Sequence, residues 1–232
     1  MTTTRSERRD NEVRDNEVKV AAGEVTLEGN LEIPQGAEGI VLFAHGSGSS
    51  RFSPRNQFVA RVLGQGRLAT LLIDLLTREE AEVDRNTLQY RFDIDLLTDR
   101  LIGATDWLSQ SPVTRSLRIG YFGASTGAAA ALRAAAQRPE AVQAVVSRGG
   151  RPDLATDALP QVKAPTLLIV GGDDLVVIDL NQQALRQLNA EKKLEIVPGA
   201  SHLFEEPGTL EEAAQLACNW FQRHLTSMAE AK

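Results

Sequence analysis

The chain has 232 residues, enough for one substantial core, and α/β architectures of up to ~250 residues commonly form one domain. Charged residues make up 24% and the hydrophobic class 42%, a globular balance that points away from disordered and membrane-embedded chains. A net charge of −6 argues against a nucleic-acid binder, which needs a concentrated basic face to displace counterions from phosphates.

Residues 1–16 carry charges where a signal peptide needs its apolar stretch, and no run in the chain approaches the ~18 apolar residues of a membrane span. The expectation is a solvated lead-in over 1–16, one domain over 17–226, a short tail over 227–232, and a cytoplasmic protein. The pentapeptide RDNEV occurs twice in tandem, Arg9 to Val13 and Arg14 to Val18, far too short for a repeat architecture of ~20–50 residues. "EVKVAAGEVTLEGNLEIP" alternates apolar and polar residues with a break at Ala22-Gly23, which predicts two half-exposed strands.

The pattern then changes. "GIVLFAHG", "LATLLIDLL", "LRIGYFG", "AVQAVVS" and "TLLIVGG" are short, nearly continuous apolar runs, as expected of strands covered on both faces in a parallel sheet. "KKLEIVPG" is a weaker strand, placed near an edge. Helices are predicted between the runs. Ser53-Pro54 reads as an N-cap with proline at the first helical position, with Phe58, Val59, Val62 and Leu63 as one apolar face and Gly64 as the stop. Ile94, Leu97, Leu101, Ala104 and Leu108 form a second face that ends near Ser111-Pro112.

The alanine block after Ser125 has so little bulk that its helix can approach the sheet closely. Thr209 and Glu212 have capping-box spacing for the last helix, with Leu216, Trp220 and Phe221 packing inward and the lone Cys218 a packed thiol. The stretch "TREEAEVDRNTLQYR", Thr77 to Arg91, reads as a long loop at the substrate mouth, with Tyr90 or Phe92 as an apolar wall. Strands alternating with helices predict a mostly parallel sheet of about eight strands with helices on both faces. Ligands bind such sheets at the carboxyl ends of the strands.

Serine, acid and histidine appear in that order in the loops at those ends: "GASTG", "GGDDLVV" and "GASHLF". Gly123-Ala124-Ser125-Thr126-Gly127 matches the G-x-S-x-G nucleophile elbow, and the chain order resembles that of the α/β-hydrolase superfamily over about residues 17 to 225. "GGDDLVV" resembles the family's acid loop and places the acid at Asp174 rather than Asp173; "GASHLF" resembles its histidine loop; His45 opens "HGSGSS", which resembles its oxyanion loop. Taken singly, each match also has a plain reading, as a turn, a helix cap or a solvated loop. His224, near a helix C-terminus, has a charge–dipole role as sufficient explanation.

The resemblance implies a fold without a large cap domain, since only Arg148 to Ala164 separate two runs between which larger relatives insert a lid. It implies Ser125 as nucleophile, His202 as general base then acid, and Asp174 as orienter of the imidazole. The oxyanion would be held by the backbone N–H groups of Thr126 and Ser47. In size and in that short connection the chain resembles the dienelactone hydrolase-like branch, but serine stands where that branch typically carries cysteine, so the implied substrate is a small carboxylic ester or lactone.

No cofactor or metal is called for, and a monomer or homodimer is expected. Arg51, Arg55, Arg148 and Arg151 belong to the same loop edge in an otherwise acidic chain, and Arg55 and Arg148 are the candidates for an anionic group of the substrate. Two alternatives remain at this stage: the same triad used for peptide hydrolysis or acyl transfer, and a non-catalytic α/β module in which "GASTG" cradles the phosphate of a nucleotide.

Overall fold

A computed structural model of the chain describes residues 17–227, so the expected lead-in of 1–16 and residues 228–232 of the tail lie outside it. The strands are β1 (Glu17–Ala22), β2 (Val25–Glu32), β3 (Gly39–Ala44), β4 (Ala69–Ile73), β5 (Arg118–Ala124), β6 (Val142–Arg148), β7 (Thr166–Gly171) and β8 (Lys192–Val197). The helices are α1 (Pro54–Gln65), α2 (Arg78–Thr87), α3 (Ile94–Gln110), α4 (Thr126–Gln137), α5 (Leu175–Gln187) and α6 (Thr209–Leu225).

All the strands join one eight-stranded sheet in the order β1-β2-β4-β3-β5-β6-β7-β8. β2 is antiparallel to both of its neighbours, and every pair from β4 to β8 is parallel. β8, the weak strand of the sequence, forms one edge.

The continuous apolar runs follow from a sheet covered on both sides. In β3, Ile40, Leu42 and Ala44 belong to the apolar layer that α3, α4 and α5 share, while the alternate residues Val41 and Phe43 belong to the opposite layer, which α1 and α6 share. Period 2 along a strand sends neighbours to opposite faces, so both sets must be apolar. Ala128 to Ala131, Ala134 and Ala135 of α4 are fully buried, and the helix uses their small size to lie between the sheet and its neighbours. Cys218 is buried as expected, and burial pushes its thiol pKa up.

Two expectations about helix starts are corrected. Thr77 to Arg91 is not a loop: it contains α2, whose N-cap Thr77 accepts from the Glu80 N–H while the Glu80 carboxylate accepts from the Thr77 N–H, a complete capping box. Conversely, Thr209 and Glu212 form no capping box. Gly208, at φ +84, is the N-cap of α6, which makes Thr209 the first helical residue, and its hydroxyl donates back to the Glu206 carbonyl at 2.7 Å.

α1 begins at Ser53 and Pro54 as expected but runs to Gln65, one residue past Gly64, with Gly66 as its C-cap. β6 and β7 are joined by two short 3₁₀ turns, Pro152–Ala155 and Leu159–Gln161, so no cap domain interrupts them. No helix among the described residues is long and apolar enough to cross a membrane.

Candidate active site

β3 lies between β4 and β5 in the sheet, and the helix that follows β3 (α1) packs on one face while the helix that follows β5 (α4) packs on the other, so the loops after β3 and β5 part at the carboxyl ends and open a crevice there. Ser125 follows β5 directly and is the N-cap of α4, with φ 50 and ψ −122. This is a left-handed backbone for a residue with a Cβ, and its cost is of order 1–3 kcal/mol. The flanking glycines are there for space: a Cβ on Gly123 would lie 2.4 Å from Ala128 Cα, and one on Gly127 would lie 2.2 Å from the Ala44 carbonyl oxygen.

The same close fit brings the loop after β3 to the serine. A Cβ on Gly46 would lie 3.2 Å from Ser125 Cβ. Ser47, next in the chain, lines a cavity of ≈ 240 Å³ together with Ser125, His202, Arg55 and Arg148. Thr126 is the first residue of α4, where a helix has N–H groups without intrahelical acceptors.

His45 stands at the start of the loop after β3. It is buried, its Nε2 accepts from the Leu75 N–H at 3.0 Å, and Nδ1 lies 2.9 Å from the Gly46 carbonyl. A neutral ring with its proton on Nδ1 satisfies both bonds, and burial holds its pKa below the ordinary histidine value, against the Gly46 carbonyl and the Asp74 charge. His45 is therefore a brace for the loop after β3.

Asp174 is the N-cap of α5, and aspartate is among the preferred capping residues. It makes no capping bond. Its Oδ2 instead lies 2.6 Å from His202 Nδ1, so the carboxylate serves the imidazole rather than its own helix. The acid and histidine loops are stitched together by backbone bonds, Asp173 N–H to the Ala200 carbonyl at 3.0 Å and Gly172 N–H to the Val197 carbonyl at 2.8 Å. On the histidine loop, Glu206 accepts from the Ser201 N–H at 2.9 Å.

Ser125 and His202 face one cavity but form no hydrogen bond to each other in this structure. Bonds between catalytic partners are often long before substrate arrives and tighten in the complex.

The four arginines of the loop edge separate into two kinds. Arg51 is buried in a cluster: it bonds Asp74, its Nε donates to Asn30 Oδ1 at 3.0 Å, and Nη2 lies 2.9 Å from Glu28. Arg151 forks onto Asp153 at 2.8 and 2.7 Å. Both are fully engaged by protein carboxylates, whereas Arg55 and Arg148 line the cavity beside Ser125.

Tyr90 and Phe92 do not line that cavity. The α2 region instead walls a neighbouring cavity of ≈ 150 Å³ with Ala81, Asp84, Arg85 and Arg91, on the side of the 46–49 loop. There Asp84, buried, accepts from the Tyr90 and Arg91 N–H groups and from Arg91 Nε, at 2.8, 3.0 and 2.6 Å. Sequence reading missed this clamp, and the capping box at Thr77 and Glu80 was the signal that could have revealed its helix. His224 lies in the last turn of α6, near its C-terminus as expected, packs on Trp220 with ring centroids 4.6 Å apart, and burial lowers its pKa.

Comparisons with known proteins agree with this geometry. A crystal structure of a dienelactone hydrolase from Anabaena variabilis is 68% identical, covers 90% of this chain and 97% of that one, and superposes with a TM-score of 0.90. A lidless α/β serine hydrolase of Xanthomonas campestris shares the fold at 19% identity, covering 91% of this chain and 95% of its own, with a TM-score of 0.71.

A Mycobacterium tuberculosis protein provisionally named a phosphoribosyl transferase is 59% identical over 92% of this chain. The match takes in 47% of that protein, so the chain spans about half the length of its curated relative. The sequence profile of the dienelactone hydrolase family matches residues 27–231. With an eight-stranded sheet, a serine elbow after β5 and an acid–histidine pair after β7 and β8, the chain belongs to the dienelactone hydrolase family.

Proposed function

We propose that the protein is a serine hydrolase that cleaves small carboxylic esters or lactones through an acyl-enzyme. The observation that carries this reading is the Asp174–His202 bond of 2.6 Å in the cavity that also holds the strained Ser125. A serine hydroxyl is a weak nucleophile at neutral pH and needs a base within reach and an acid that fixes the base's tautomer. With Nδ1 bonded to Asp174, the proton stays on Nδ1 and the Nε2 lone pair is free to take the Ser125 proton.

Attack on the ester carbonyl gives a tetrahedral oxyanion, held by the N–H groups of Thr126 and Ser47; one such donor contributes ~10²–10³ in rate. The imidazolium then protonates the leaving alcohol, and the reverse sequence with water releases the acid. In a lactone the leaving alcohol remains tethered to the acyl group, so one hydroxy acid is released.

The name of the Mycobacterium relative belongs to a protein about twice as long, and phosphoribosyl transfer by the half matched here would leave the Asp174–His202 pair and the strained serine without a role. A fluorophosphonate probe tests the reading. Wild type should be labelled and Ser125→Ala should not, and in a panel of short aryl esters, a lactone and a peptide amide the esters or lactone should be turned over fastest. Equal turnover by wild type and Ser125→Ala would end the assignment.

A further inference from the structure

The cavity beside the serine has a neighbour. A second cavity, of ≈ 150 Å³, lies on the other side of the 46–49 loop, and Gly46, Ser47 and Ser49 line both. A Cβ on Gly46 would lie 3.2 Å from Ser125 Cβ, and one on Gly48, at φ +69, would lie 3.2 Å from Arg91 Nη1. The loop is thus one thickness of backbone between the nucleophile and the second cavity. The two residues from one contact to the other span at most about 7 Å.

Across from the loop the second cavity is walled by Leu76 after β4, Ala81 of α2 and the buried Leu97 of α3. Its polar groups already have partners. Both ring nitrogens of His45 are engaged, by the Gly46 carbonyl and the Leu75 N–H. Asp84 accepts from Arg91 Nε and from the Tyr90 and Arg91 N–H groups. Arg85 is 71% exposed, with Glu82 at 3.9 Å. A polar ligand group entering here would lose water without gaining a bond, whereas an apolar one loses nothing. A cavity of about 150 Å³ with aliphatic walls has room for a benzene ring.

The sheet order decides which end of an ester reaches it. His202 and Asp174 follow β8 and β7, on one side of β5, and the 46–49 loop and α2 follow β3 and β4, on the other. His202 must protonate the leaving oxygen, so the alcohol lies on the histidine side. The acyl group, opposite the alcohol at the tetrahedral carbon, is turned toward β3 and β4.

We propose that the cavity walled by Leu76, Ala81 and Leu97 is the acyl subsite and takes an apolar group of about the size of a benzene ring, carried on a short spacer that crosses the 46–49 loop. The assignment deepens the hydrolase reading and rests on it for the direction of the substrate. The subsite itself is a binding site and can be measured without turnover.

The test compares ethyl acetate with two esters that place the same ring at opposite ends, ethyl 3-phenylpropanoate in the acyl group and 3-phenylpropyl acetate in the alcohol, by titrating the acid released. Wild type should favour ethyl 3-phenylpropanoate over ethyl acetate by about 10–100-fold in kcat/KM, as expected for burial of one phenyl ring. Ala81→Phe, which fills the cavity, should lower that ratio by about tenfold or more and leave the ratio of 3-phenylpropyl acetate to ethyl acetate where it was. Leu76→Ala, which removes a wall, should lower the first ratio by a smaller factor, and it carries the comparison should Ala81→Phe fail to fold.

In parallel, binding of 3-phenylpropanamide, which is neutral, is followed by ligand-observed NMR in Ser125→Ala with and without Ala81→Phe, and should be weakened by the second substitution. Hydrolysis of ethyl acetate with no gain from the acyl ring, with a gain that neither variant reduces, or with an effect of Ala81→Phe on the alcohol series instead, overturns the acyl subsite while leaving the hydrolase reading intact. Binding of the amide that depends on Ala81, in a protein that cleaves none of the three esters, does the reverse.

Discussion

Gly127→Ala offers a stringent check on how the site is assembled, because one methyl group there meets only backbone. A Cβ at this position would lie 2.2 Å from the Ala44 oxygen and 2.5 Å from the His45 oxygen, where C···O contacts ordinarily begin at about 3.3 Å. About 1 Å must be regained by moving either the first turn of α4 or the end of β3, and both movements displace the serine relative to the loop that carries Ser47. Overpacking costs about 1–3 kcal/mol, and the upper end applies when the obstacle is backbone rather than a flexible side chain.

At ~2–4 °C per kcal/mol for a chain of this size, the melting temperature should fall by roughly 6–12 °C. A 1 Å misplacement of reacting groups should lower kcat/KM for a p-nitrophenyl ester by ~10²-fold. Gly64→Ala is the internal control. It lies in α1 with nothing within 4 Å of the new Cβ, so the same chemical change should stabilise by about 0.5–1 kcal/mol through helix propensity. Thermal melts and steady-state rates on the two variants decide the matter. Gly127→Ala melting close to wild type with undiminished activity would refute the claim that the elbow and the 46–49 loop are packed to contact.

Asp174→Asn keeps the shape of the pair but exchanges the carboxylate for an amide that no longer holds His202 in its working tautomer, and kcat on the same ester should fall by ~10⁴-fold with no change in the melting curve of comparable size. A loss below tenfold would mean that the 2.6 Å bond does not orient a catalytic base. Ser125→Gly should relieve a backbone strain of about 1–3 kcal/mol at the cost of about 0.5–1 kcal/mol of added chain entropy, so urea unfolding should show a net gain of about 1 kcal/mol in an inactive protein. Ser125→Ala, which retains the Cβ and hence the strain, should show no such gain.

What could be read from the sequence was what has a period or a fixed spacing. The parallel strands were legible because a sheet covered on both faces demands unbroken apolar residues, as the buried runs Ile40 to Ala44 and Leu167 to Val170 show. Ser125, Asp174 and His202 were legible because the elbow's steric needs leave glycines at fixed offsets and the partner loops follow in chain order.

α2 was not, because between Arg78 and Thr87 only Ala81 and Val83 are apolar, too few for a periodic face. Its start carried a capping box at Thr77 and Glu80, the same spacing that fails at Thr209 and Glu212, where the left-handed Gly208 starts the helix one residue earlier. Spacing alone cannot separate those two cases. The arginines were beyond the sequence for another reason: Arg51, Arg55, Arg148 and Arg151 look alike as letters, and what distinguishes them is which carboxylates fold against them.

The helix starts divide along the same line as scaffold and chemistry. α1, α2 and α3 are capped by Ser53, Thr77 and Asp93, whose side chains accept from the N–H groups of Asn56, Glu80 and Leu96. α4, α5 and α6 have no side-chain cap, and they are the helices that follow the serine, acid and histidine loops. A cap contributes ~1 kcal/mol, and Ser125 and Asp174 are residue types that would ordinarily supply it.

Neither side chain accepts from its own helix. Asp174 is turned to His202, and the strained backbone of Ser125 leaves its hydroxyl without a capping bond, facing the cavity. With Arg148, whose buried Nε and Nη1 have no partner among the described residues, these local departures gather at the carboxyl ends of the strands, where the two apolar layers behind them offset their cost. Two capping-type residues that withhold their caps, Ser125 and Asp174, mark the functional edge more sharply than any one motif, because each breach is explained by what the freed group does for another part of the chain, whereas α6 starts at Gly208, which has no side chain to cap with.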